Sequence, residues 1–173
     1  MRHRRWGADR AVHPSAAAKN LLRRCRGIAA SLELPVPFDA VELIADAAEQ
    51  RGRPIELMPI PWTPGVPCGL LVSADQADYI AYAEDTSPLH RQHILVHELS
   101  HLLCGHDGTL STELTPHLAD ELVHRVLGRT VYTEPQEQEA ELLASLIIQR
   151  AVWDLREQPP DPFLGPAPRR RRP

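Results

Sequence analysis

The chain is short of several things, and each shortage closes off a class of function. Lys19 is its only lysine; the remaining positive charge is arginine, and the formal net charge at pH 7 is −4. A general nucleic-acid binder needs a basic face against phosphate, so direct DNA binding is not expected. Cys25, Cys68 and Cys104 are the only cysteines, too few and too scattered for a disulfide framework, which suits a reducing, cytoplasmic setting. No apolar run approaches the roughly 20 residues a bilayer demands; one of the longest, Leu142 to Ile148, is interrupted by Ser145. The basic N-terminus MRHRRWGADR is not followed by an apolar stretch of signal-peptide length. No internal repeat is visible. A cytoplasmic protein with no membrane partner is expected.

What remains is enough for one domain with a real core, 173 residues in all. Residues 1–13 are polar and arginine-rich, and 158–173 are proline-rich and end in four arginines; both are expected to be disordered. Between them a single domain over 14–157 is expected. A helix opens at Pro14-Ser15 and runs to about Leu34, with Leu21, Leu22, Cys25, Ile28, Ala29 and Leu32 on one face and Arg23, Arg24 and Arg26 largely off it. Pro35 and Pro37 break it, and a second helix covers about 38–51, ended by Gly52. That break is proline-rich and no recognition helix stands out, which argues against a helix-turn-helix. Short strands follow at Pro54–Pro59, Cys68–Ser73 and Asp78–Ala83, the last two forming a hairpin around Ala74-Asp75-Gln76-Ala77. Tyr79, Ile80 and Tyr82 are expected on an edge strand, where an extended peptide can pair. Further helices are expected from Thr115-Pro116 to about Leu127 and from a Thr133 cap to about Arg156, with Gln136 placed for a capping box. The fold class is therefore α+β: a small antiparallel or mixed sheet packed on helices.

The pattern HExxH stands in the middle of this chain, as His97-Glu98-Leu99-Ser100-His101 within QHILVHELSHLLCGH. Ser87-Pro88 is a helix start and Gly105 a helix stop, and Ile94, Leu95, Leu99, Leu102 and Leu103 recur at helical spacing. On a helix, residues four apart sit about 40° apart around the axis and one turn apart along it. Both imidazoles then reach one metal ion, and Glu98 reaches a water beside it, the arrangement a zinc hydrolase requires. A third protein ligand is needed. The acidic start of the last helix supplies Glu134, Glu137 and Glu141, all geometrically eligible, while Glu139 lies about 200° around from Glu137 and points elsewhere. A metzincin-type ligand six residues after His101 would be Asp107. Cys104, however, holds the place of the required glycine, and the only methionines, Met1 and Met58, lie upstream and exclude a Met-turn. His106 is a weaker candidate ligand, His93 a residue that can line the site, and Cys104 reads as a buried thiol.

HELSH, followed downstream by EQEAELLAS, resembles the ImmA/IrrE-type metallopeptidases, whose pattern is HExxH and then a helix bearing E-x-E-A-N/D-x-F/L-A. The approach YIAYAEDTSPLHRQHILVHELSH is similar too, and the resemblance spans roughly residues 35–150. It implies a minimal zincin-like fold with zinc held by His97, His101 and Glu137, with Glu98 as the base. Ala140 becomes the small residue that lets two helices approach. Glu141, where the family has Asn or Asp, would accept a hydrogen bond from a ligand histidine. The later Leu146-Ile147-Ile148-Gln149 departs from the family's Leu-Leu-Met-Pro.

The expected reaction is peptide hydrolysis by a zinc-dependent endopeptidase, with Glu98 moving the proton and a Tyr or His aiding the oxyanion; Tyr132, His124 and His117 are candidates. A His/His/Glu set also suits manganese or iron. The resemblance implies a separately encoded helix-turn-helix repressor as substrate. The alternative is a zinc-bound regulatory or toxin-like partner with little proteolysis; a purely structural zinc domain would want a closed four-ligand set, and none is visible.

Overall fold

In the computed structural model the described residues are 15–61, 67–106 and 132–157, with side chains to Trp153 in the last segment. Four helices and a three-stranded mixed sheet are found there, an α+β arrangement. Helices α1 (Ala16–Ser31) and α2 (Ala40–Arg51) precede strands β1 (Ile55–Ile60), β2 (Gly69–Ser73) and β3 (Asp78–Ala83); α3 (Pro88–Cys104) and α4 (Glu134–Glu157) follow. Expectations for residues 1–13, for Asp107, His117 and His124, for the helix over 115–127 and for the tail from 158 lie outside the described residues.

Local chemistry sets the helix ends. The Ser15 hydroxyl accepts from the Ala18 N–H, Asp39 accepts from the N–H groups of Val41 and Glu42, and Ser87 accepts from that of His90, each filling an orphan donor of a first turn. Gln136 supplies the reciprocal half of a capping box, accepting from the Thr133 N–H at 2.9 Å. Gly52 closes α2 at φ 62° and Gly105 closes α3 at φ 71°, left-handed conformations that cost glycine nothing. At the second of these the His106 N–H returns to the His101 carbonyl (3.0 Å) and the Gly105 N–H to that of Leu102 (3.1 Å). That pair of bonds turns the chain back over the end of its own helix.

The strand order is β1-β3-β2, with β1 parallel to β3 and β2 antiparallel to it. This corrects the expectation for Tyr79, Ile80 and Tyr82. Their strand is central, paired on both sides, because β1 lies parallel against β3 on the side away from β2; among the described residues β2 is an edge instead. The core joins Cys25 and Ala29 of α1, Leu43 and Ile44 of α2, Leu71 and Ile80 of the sheet, Leu95, Val96 and Leu99 of α3, and Leu143, Ala144 and Ile147 of α4. Ala140 and Ala144 are fully buried, and such small side chains allow close helix approach. Arg150 of α4 donates to the carbonyls of Ala29 (2.6 Å) and Leu32 (2.7 Å), satisfying acceptors at the end of α1. Arg51 and Arg53 both pair with the buried Asp78 at the start of β3, and Arg53 also holds the β2–β3 turn through the carbonyls of Ala74, Asp75 and Ala77.

Candidate metal centre

His97 and His101 project from one side of α3, and their Nε2 atoms lie 3.2 Å apart. Packing of α4 across α3 brings the Glu137 carboxylate to 3.3 Å from His97 Nε2 and 3.7 Å from His101 Nε2. A tetrahedral ion with ligands at about 2.0–2.1 Å sets neighbouring ligand atoms about 3.3 Å apart. The three residues therefore fit a metal ion. His101 is buried, and burial, then the neighbouring His97 and His106 rings, push its pKa down to about 3. It is thus neutral, the form a metal requires of a histidine.

Of the three glutamates eligible by sequence, the structure separates their positions. Glu134 faces Gln138, whose amide donates to it. Glu141 lies on the far side of His97, 3.4 Å from its Nδ1 and 3.2 Å from His93 Nε2. It is placed to orient the ring whose other nitrogen faces Glu137. Glu139 does point away from Glu137, but not into solvent: it is buried against α1 and His106. Arg24, itself more than half exposed, pairs with it.

Glu98 lies beside the cluster under the edge of the sheet. It is 6% exposed, and burial, with Glu137 nearby, raises its pKa to about 8, against an opposing hydrogen bond to the backbone of Leu71. Gly69 makes that placement possible. A Cβ there would fall 2.5 Å from Glu98 Oε1 and 2.7 Å from Ile94 Cγ2, so the edge strand passes over the carboxylate only because position 69 is bare. This role was not read from the sequence; a glycine opening a strand pattern was its one signal.

Tyr132 completes the wall. Its ring stacks on that of His101, centroids 3.6 Å apart and planes 17° from parallel. Its hydroxyl is buried with no hydrogen-bond partner among the described residues, and burial, then Glu98 and Glu137, keep it protonated. Pro67, Cys68, Gly69, Leu70, His93, Ile94 and these side chains line an open cleft of about 240 Å³.

Comparison with protein-family models, with curated proteins and with solved structures finds no match for this chain. No described helix is long and apolar enough to cross a membrane.

Proposed function

We propose that this chain is a zinc-dependent endopeptidase of the ImmA/IrrE type with a zincin-like fold, acting in the cytoplasm on a separately encoded helix-turn-helix repressor. The observation that carries the reading is the meeting of Glu137 with both histidines of HExxH. Two distant segments converge on ligand spacing while Glu98 lies beside them in the cleft. Three protein ligands facing an open cleft suit a catalytic centre better than a closed structural one. The substrate class rests on the sequence resemblance alone.

Zinc held by His97, His101 and Glu137 would supply Lewis acidity and a water acidified towards neutral pH. Glu98 takes a proton from the attacking water and returns it to the departing amine. The Tyr132 hydroxyl donates to the oxyanion that develops on the scissile carbonyl. Among the described residues no strand pairs with the outer edge of β2, and its backbone groups there suit an extended peptide lying along the cleft.

The test is metal quantitation together with cleavage of the neighbouring helix-turn-helix protein by wild type and Glu98→Gln. One zinc in each, with cleavage by wild type only, is expected. Zinc in both with cleavage by neither would turn the reading towards a regulatory partner, and absence of metal from wild type would sink it.

A further inference from the structure

Behind the metal cluster runs a second line of polar groups that the reaction does not use. His101 Nδ1, on the ring edge away from Glu137, lies 3.0 Å from His106 Nδ1. His106 Nε2 lies 3.3 Å from Glu139 Oε2. The other Glu139 oxygen pairs with Arg24 of α1. The His106 and Glu139 side chains are 6% and 7% exposed, so water does not substitute freely for either partner. The turn at Gly105 aims His106 back at the helix that precedes it.

We infer that His106 and Glu139 form a positioning relay that fixes the tautomer and orientation of His101, a role that rests on the metal-centre reading for its consequence but not for its geometry. The proton positions follow from one another. Glu139 accepts only, so His106 donates to it from Nε2. In a neutral His106 the Nδ1 is then a bare acceptor, and His101 donates to it from Nδ1. That leaves His101 Nε2 unprotonated towards His97 and Glu137, the state a ligand nitrogen needs. Tyr132 stacked on the ring face and His106 bonded in its plane together hold the imidazole in place. Arg24 balances the Glu139 charge through an ion pair.

The same residues have a rival use. Cys104, His106 and Glu139 place three ligand atoms within 4.8 Å of one another and could hold a second ion. One fact favours the relay: Glu139 is already neutralised by Arg24.

The experiment is long-range ¹H–¹⁵N imidazole spectroscopy on the full chain, metal-free and zinc-loaded, beside zinc affinities from chelator competition. His106 is expected as the Nε2–H tautomer and His101 as the Nδ1–H tautomer in both states. Glu139→Gln and His106→Ala should each weaken zinc binding about 10–100-fold. Glu139→Gln should do so with the metal-free melting temperature near that of wild type, a split that a merely structural role would not give. An Nδ1–H or doubly protonated His106 would overturn the relay. So would unchanged zinc affinity in both variants, or a second zinc equivalent lost in Cys104→Ser. Because the tautomers are read without metal, a chain that binds no zinc would sink the peptidase reading while leaving the relay to stand or fall on its own spectra.

Discussion

Two buried carboxylates stand at opposite ends of the β2–β3 ladder and are treated in opposite ways. Asp78, paired in register with Ser73, is 1% exposed and sits between Arg51 and Arg53. Burial opposes its ionisation, but hydrogen bonds from Arg51, Ser73 and Arg53 outweigh burial and hold its pKa below the usual value. Glu98 lies under Gly69 at the other end, equally enclosed, and no arginine or lysine is among its electrostatic partners. A buried charge is normally paired, since desolvation costs several kcal/mol otherwise. The paired carboxylate fastens β3 to the end of α2. The unpaired one sits beside a cluster fit for a divalent cation, and that contrast marks it as the group kept for chemistry.

The largest break in the comparison is Glu98→Gln. Loss of the base should lower cleavage roughly 10²–10⁴-fold with metal retained. In metal-stripped protein the native Glu98 pKa near 8 lies above its unfolded value of about 4.3. The native state then holds the extra proton, and stability falls as pH rises between those values. Glu98→Gln should therefore raise the metal-free denaturation midpoint at pH 8 and leave it nearly unchanged at pH 4.5.

Asp78→Asn should act in the reverse sense. The native pKa is lowered, so the charge stabilises the fold above about pH 3.9, and that contribution is lost as pH falls through the native value. At pH 7 a loss of about 2 kcal/mol is expected, and the wild-type and variant curves should converge in acid; urea titrations across pH 2–7 measure both. Smaller is Gly69→Ala, which overpacks the strand against Glu98 and Ile94 at about 1–3 kcal/mol. It should depress cleavage more than zinc binding, because the residue it displaces is the base rather than a ligand. The smallest effect is Glu141→Gln. The carboxylate orients His97 from outside the ligand set, so zinc affinity should fall about 10-fold, and chelator competition against Glu137→Gln, which should lose far more, sharpens the distinction.

Much of the local structure was legible. Ser87-Pro88 and Gly105 bound α3, and the Thr133/Gln136 pair opened α4, because caps satisfy backbone groups a few residues away. The strands and their hairpin were legible in the same way. The place of β3 in the sheet was not, since an alternating pattern says which residues are half-buried and not how many strands flank them. The pairing of Arg24 with Glu139 was not legible, because nothing within either helix announces a partner 115 residues away.

The sequence by itself determined that His97 and His101 share one side of a helix, with Glu98 beside them, since a 3.6-residue period is a local property of the backbone. Only the tertiary structure decided which glutamate of α4 meets them. Glu134, Glu137 and Glu141 are equivalent to local geometry, and the choice depends on the phase at which α4 packs on α3, set by Ala140, Leu143, Ala144 and Ile147 in the shared core. The same packing phase buries Glu139 against His106 and Arg24, because a carboxylate two residues from Glu137 must face the opposite side of the helix.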